Sequence, residues 1–349
     1  MSSEIRIGKE VSTFSGVREL RDGQLLISDA KRGNVLLVNP ATGAASVLGS
    51  VGADSNQYAQ PGGFYSGLGD TTLLLDRGQS RFLLISPTGA IITSRSIRRR
   101  GFSSSSSADR DLQRLDARGL AYFTETRQGP RVNPGVEVTD TAALLRFDAA
   151  LQRSDTVALL RQARRRVTQS SGNMTTSQMM YGAPVDEWGV APDGRIAVVR
   201  AMPYHVEWYG LDGTVVRGPA VPTDVIPFSR PERDSISNAL TGSGGSASVG
   251  ASDGASSNTA KAERWIAETK PPFATGGVIV SPDRRVWVAR TLGLGVRDAI
   301  YDVFDSRGTR VDQVQLGAGS RVVGFGRNAV YAMEPDARGV VLLRKYQLN

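Results

Sequence analysis

The sequence predicts an all-β fold, a six-bladed β-propeller, and three observations carry that prediction. A unit of apolar strand, tight turn and second apolar strand recurs along the 349 residues with changing side chains and constant grammar. Its spacing is roughly 40–50 residues, the period of a propeller blade made of four short strands. The last unit shows only three strands, and residues 4–8 at the other end alternate apolar with polar side chains, as the missing fourth strand would.

The first unit covers 16–50. Leu25-Leu26-Ile27-Ser28-Asp29 and Asn34-Val35-Leu36-Leu37-Val38 are its strands, and Asp22-Gly23 and Thr42-Gly43 its turns. Unbroken Val, Leu and Ile runs of this length suit strands buried on both faces. The second unit, 65–97, pairs Thr72-Leu73-Leu74-Leu75-Asp76 with Arg81-Phe82-Leu83-Leu84-Ile85. The third, 112–160, runs from Gly119-Leu120-Ala121-Tyr122-Phe123 to Ala143-Leu144-Leu145-Arg146-Phe147 and on to 155–159. The fourth spans 185–222 around Pro192-Asp193-Gly194 and Asp212-Gly213-Thr214, both strong turn signals. The fifth spans 275–317. The sixth starts at Ser320, and pairing of 4–8 with 340–344 is expected to close the ring and remove its open edges.

Insertions break the period. Five serines at 103–107 follow Arg98-Arg99-Arg100, and residues 161–181 read as a polar connection containing Arg164-Arg165-Arg166. The longest insertion, 224–273, falls between blades four and five. Residues 231–240 and 259–268 read as helices there, flanking a Gly/Ser/Ala-rich stretch of linker composition. Pro231 suits a first helical turn capped by Ser229, and Pro271-Pro272 forbids further helix.

Composition excludes much chemistry. There is no cysteine, so disulfides, thiolate nucleophiles and Cys-ligated zinc are out, and a single histidine, His205, rules out a His-rich metal site within one chain. Formal charge is +8, almost all of the positive side from arginine. That balance reads as attraction to an anionic surface, or as coding bias spread over solvated loops. No apolar run is long enough to span a membrane as a helix. Residues 1–10 lack a charged-then-apolar export pattern, which leaves open a cytoplasmic protein or a mature exported one.

The densest polar cluster is Asp186-Glu187 with Tyr204-His205-Val206-Glu207-Trp208. Strand alternation puts His205 and Glu207 on one face. A base oriented by a carboxylate has this composition. The structural alternative packs Trp188 and Trp208 between blades and leaves the polar pair to a neighbouring strand. Asp29, Asp76, Glu125, Asp186 and Asp302 lie near strand ends, where calcium ligands or ordinary turn formers are found. No phosphate loop, dinucleotide fingerprint or nucleophile elbow appears in a suitable context.

The fourth unit, from Val185-Asp186-Glu187-Trp188 through Pro192-Asp193-Gly194-Arg195 to Tyr204-His205-Val206-Glu207-Trp208, resembles bacterial six-bladed propellers of the NHL/TolB-like kind. Lys270-Pro271-Pro272-Phe273 matches the return after their helical insertion. The resemblance implies export to the cell envelope.

The reading is therefore one propeller over 1–349, acting without catalysis, cofactor or metal as a binding platform or membrane-extrinsic accessory subunit. Protein partners in an envelope or bioenergetic assembly are expected, with peripheral contact to anionic membrane and no nucleic acid. Arg98, Arg99, Arg100, Arg164, Arg165, Arg166 and Trp265 are the candidate contacts. Periplasmic or envelope location is expected, with the cytoplasm as the alternative. The competing function is a calcium-dependent lactonase-like hydrolase with its site in the central channel.

Overall fold

In the computed structural model, residues 2–97, 112–127, 136–148, 152–169, 175–242, 265–293 and 295–348 are described. The chain opens with β1 (Ser2–Ile5), then β2 (Gly16–Glu19), β3 (Leu25–Asp29), β4 (Asn34–Val38) and β5 (Ala45–Val47). Two short strands, β6 (Ser50–Val51) and β7 (Gln57–Tyr58), pair in parallel. A four-stranded sheet follows: β8 (Pro61–Ser66), β9 (Thr72–Asp76), β10 (Arg81–Ile85) and β11 (Ile91–Ser96).

Next come five strands in one sheet, β12 (Leu112–Leu115), β13 (Ala121–Arg127), β14 (Glu137–Phe147), β15 (Ser154–Gln169) and β16 (Thr175–Met179). Strands β17 (Glu187–Val190), β18 (Ile196–Ala201), β19 (Tyr204–Tyr209) and β20 (Val215–Arg217) form another sheet. Helix α1 (Arg230–Gly242) precedes a sheet of β21 (Phe273–Val280), β22 (Val286–Arg290), β23 (Asp298–Phe304) and β24 (Arg310–Ala318). The chain finishes with β25 (Arg321–Gly326), β26 (Ala329–Pro335) and β27 (Val341–Gln347).

Strand β1 lies antiparallel beside β27, with Glu4 opposite Arg344 and Ile5 opposite Leu343. The two chain ends thus share one edge, although the first strand covers 2–5 rather than the expected 4–8. Strands β25 and β2 meet in parallel, Val17 opposite Gly324, and merge the last strands and the first into an eight-stranded sheet ordered β1-β27-β26-β25-β2-β3-β4-β5. The backbones approach so closely that a Cβ on residue 324 would lie 1.8 Å from the Val17 carbonyl oxygen, so only glycine fits.

The core sits between sheets, and period-2 alternation explains why. On β3, Leu25 and Ile27 pack towards Tyr331 and Leu343 of the closing strands, while Leu26 packs towards Leu74 and Leu83 of the next sheet. On β18, Ala197 and Val199 face Val278, Val288 and Phe304, whereas Ile196 and Val198 face Tyr122, Leu144 and Leu160. Leu75 and Phe82 meet Leu115 and Phe147, and Trp287 and Val303 meet Val322 and Val330. Each sheet buries one face on its predecessor and one on its successor, and the series returns to its start. That is the arrangement of a β-propeller, and it requires strands apolar on both faces.

Tyrosine hydroxyls stitch the same boundaries. Tyr58 accepts from the Val35 amide at 3.0 Å, and Tyr122 donates to the Gly194 carbonyl at 3.3 Å. Tyr204 donates to Asp302 at 3.0 Å, Tyr301 accepts from the Val322 amide at 3.0 Å, and Tyr331 donates to Glu19 at 2.6 Å. Each ring contributes apolar area while its buried oxygen finds a partner across the gap. The hairpin turns use aspartate in the expected way. Asp193 accepts the Arg195 amide at 3.1 Å, and Gly194 takes the left-handed φ of 84° that the turn demands.

Two expectations change. Residues 161–169 are not a loop: β15 runs through them, and Arg164-Arg165-Arg166 is strand, with Arg166 opposite both Glu137 and Gln178. Extended pairing to β14 and β16 satisfies a backbone that a loop would leave to water. In the insertion, α1 extends the expected 231–240 helix by a residue or two at each end. The second expected helix, 259–268, lies partly outside the described residues. Its remainder is extended, with Ile266 bridged to Tyr181 and Thr269 to Pro227. Burial of Ile266 at 4% exposure outweighs local helix propensity there.

Candidate functional site

The polar cluster on β18–β20 is assembled by register. Arg200 pairs opposite His205, Val198 opposite Glu207, and Glu207 opposite Arg217, so these side chains share the face that looks towards the preceding sheet. Arg200 binds Glu207 at 2.7 Å and Asp186 at 2.9 Å, and Arg217 binds Glu207 at 2.7 Å. Tyr209 accepts from Arg200 at 2.8 Å and donates to Glu207 at 2.9 Å. His205 Nε2 lies 3.2 Å from Glu207 and Nδ1 lies 2.7 Å from the Pro203 carbonyl. Arg200 also donates to the Leu159 carbonyl on β15, while Asp186 accepts the Arg161 amide at 2.9 Å. The whole cluster therefore clamps one sheet to the next. Burial opposes ionisation of Glu207, but hydrogen bonds from Arg200, Tyr209 and His205 outweigh it and hold its carboxyl down at about 2. Every oxygen is engaged, and nothing is presented to a substrate.

Glu187 is separate. It accepts the Gly276 amide at 2.9 Å, and burial pushes its carboxyl above the usual range against the pull of that amide and of Arg114. Trp188 packs in the core with Tyr122 and Leu160, beneath the Arg114 guanidinium. Trp208 packs on the opposite side and donates to the Asp305 carbonyl at 2.9 Å.

The strand-end carboxylates are consumed by internal donors. Asp29 accepts the amides of Ser12, Lys31 and Arg32. Asp76 accepts those of Ala59, Gln60 and Gly78 and binds Arg81. Asp302 takes Tyr204, Arg290, Arg310 and Gln313. Glu125 is exposed on β13. Among the described residues no three Asp, Glu, His or Cys side chains gather to hold a metal ion.

Of the basic candidates, Arg98, Arg99 and Arg100 lie outside the described residues. Arg164 binds Glu137 at 3.1 Å and Arg165 binds Asp140 at 2.5 Å, so both charges are partnered on their own hairpin. For Arg166 only the backbone pairing is described. An acidic partner strand, Glu137 to Asp140, was the sequence signal for this arrangement.

The insertion stem forms the most exposed apolar ground. Ser229 and Glu232 make a reciprocal cap at the start of α1: the Ser229 amide donates to Glu232 at 2.9 Å and the Glu232 amide to Ser229 Oγ at 3.4 Å. Lys270 binds Glu232 and reaches the Leu292 carbonyl at 3.3 Å; together with the cap it holds the Glu232 carboxyl down at about 2. Arg233 donates to the Ala267 carbonyl at 3.0 Å. Tyr181 donates its amide to the Trp265 carbonyl at 2.6 Å and receives that of Ala267 at 2.9 Å. Half-buried Trp265 is thus pinned through its backbone to the segment before β17. Around this stem Val225 is 79% exposed, and Met179, Tyr181, Met202 and Val296 are each more than half exposed.

No family model matches the chain, and no curated protein matches it. Solved structures that align along its length include a streptogramin B lyase, 12% identical with a TM-score of 0.45, covering 100% of this chain and 98% of that one. A gluconolactonase from Xanthomonas campestris is 13% identical with a TM-score of 0.44, covering 99% and 95%. A luciferin-regenerating enzyme is 11% identical with a TM-score of 0.43, covering 99% and 94%. At that distance they assign no activity, ligand or partner to this chain.

Proposed function

We propose that this chain is a non-enzymatic binding platform: one six-bladed propeller over residues 1–349, with the eight-stranded sheet counted as two blades and 224–273 inserted between blades four and five. The observation behind this reading is the insertion stem. Its two ends are held to the ring by Tyr181, Lys270 and Arg233, yet Val225 stands 79% exposed beside them. Met202 sits on the turn between β18 and β19, whose Tyr204 carbonyl receives the Val221 amide at 2.7 Å at the start of the same stem. Val296 lies on the β22–β23 connection that Lys270 grips. Exposed apolar side chains on a rigid, fastened surface gain roughly 25 cal/mol per Å² when a partner covers them. The partner we propose is a protein of a larger envelope or bioenergetic assembly.

The test replaces Met202 and Val225 together with glutamate and compares proteins recovered with the native chain in mild detergent. The expected result is loss of the co-purifying partner at an unchanged melting temperature. Retention of the same partner by the doubly substituted chain removes the insertion stem as the docking face.

A further inference from the structure

The inner strands β2, β8, β17, β21 and β25 all end around one open cavity of about 400 Å³. Residues just past those ends line it, so it lies where the sheets converge, away from the insertion stem. Its charged lining is Arg18, Arg21 and Arg327 against Glu19 and Asp70, with Phe325 supplying an apolar wall.

The two carboxylates do not cancel the three guanidiniums. Glu19 is already taken by the Tyr331 hydroxyl at 2.6 Å and by Lys345 at 3.5 Å. Asp70 reaches only Arg18, at 3.6 Å. Arg18 is fixed by hydrogen bonds to Ser66 Oγ at 2.7 Å and Thr72 Oγ1 at 2.8 Å, so its orientation is set before anything binds. Arg21 and Arg327 have no ion pair or hydrogen bond to another described residue and stand exposed at the rim. This contrasts with Arg164, Arg165, Arg200 and Arg290, which all have acidic partners.

We propose that this cavity is a binding site for a small organic anion, with Arg21 and Arg327 as the recognising groups and Arg18 as the fixed wall charge. Guanidinium forks fit carboxylate and phosphate oxygens two at a time. A concave mouth lined by one sign of charge focuses the field on such a ligand. A volume of about 400 Å³ is that of a metabolite pocket and too small for a protein segment. The shared chemistry is a compact polyanion, carrying carboxylate or phosphate groups.

The experiment measures melting temperature and binding heat with citrate and with inorganic pyrophosphate, against sodium chloride at matched ionic strength. It uses the full chain and the Arg21→Gln/Arg327→Gln double variant. Either anion is expected to raise the melting temperature above the chloride control, and the double variant to bind it about tenfold or more weakly, the loss of one charge-assisted contact. A stronger citrate response marks a carboxylate ligand and a stronger pyrophosphate response a phosphate one. No shift beyond chloride, or equal shifts in both proteins, overturns the site. Recovery of the protein partner through Val225 is independent of these substitutions, so the two proposals fail separately.

Discussion

Arg200 on β18 donates a 2.6 Å hydrogen bond to the Leu159 carbonyl on β15, across the boundary between two sheets. The same guanidinium holds Asp186 and Glu207, so one side chain joins an inner-strand approach, a middle strand and a neighbouring sheet. Burial works against its charge, yet the two carboxylates raise its pKa above that of a free guanidinium.

Replacing Arg200 with methionine keeps the apolar stem and removes the charge. Two buried carboxylates then lose their shared cation, which costs about 3–5 kcal/mol. Urea unfolding of the variant should show a lower midpoint at unchanged slope. A cost within experimental error of zero would mean that the clamp does not hold the sheets together.

Glu207 makes a pH prediction. Its folded pKa of about 2 lies below the ordinary 4.5, so the carboxylate form is favoured by folding. The stabilisation is complete above the unfolded value and is lost as pH falls from about 4.5 through about 2. A depression of this size is worth roughly 3 kcal/mol. Unfolding free energy measured across that window should fall more steeply for the native chain than for Glu207→Gln. Parallel curves would dismiss Glu207 as a source of acid sensitivity.

Gly324→Ala tests the closure. The new Cβ would lie 1.8 Å from the Val17 carbonyl oxygen, a backbone atom that cannot swing aside, so β2 and β25 must separate. A loss of about 3 kcal/mol is expected, at the upper end for overpacking. Gly293→Ala is the control, because nothing lies within 4 Å of its would-be Cβ. If both substitutions melt alike, the parallel contact contributes nothing.

Much of this fold is legible in the sequence because its strands are apolar on both faces. Leu25–Asp29, Asn34–Val38 and Arg81–Ile85 occupy the spans that their Val, Leu and Ile runs mark. The strand through Arg164-Arg165-Arg166 was hidden because a basic run has no apolar period; only its pairing with Glu137–Phe147 supplies the reason to extend. Local composition likewise favoured helix through Trp265 and Ile266, whereas burial and a bridge to Tyr181 decided the outcome.

For the polar cluster, alternation was enough to put His205 and Glu207 on one face. It could not supply Arg200, Arg217 and Tyr209, because cross-strand register is a property of the paired sheet. Arg21 and Arg327 were missed for a related reason. They are more than 300 positions apart in the chain and meet only where β2 and β25 run side by side. Their shared signal, an arginine at the turn after an inner strand, becomes visible once the inner strands are known.

Strand β1 lies against β27 with Ser2 opposite Tyr346. Directly opposed residues in such a ladder are about 5 Å apart, so polypeptide continuing past either end leaves the ring from one point on its rim. Two modules attached there would sit as neighbours, each seeing the other at the millimolar effective concentration of a short tether. The seam that closes the sheet is thus also a place where two further functions could be coupled without any contact to the ring itself.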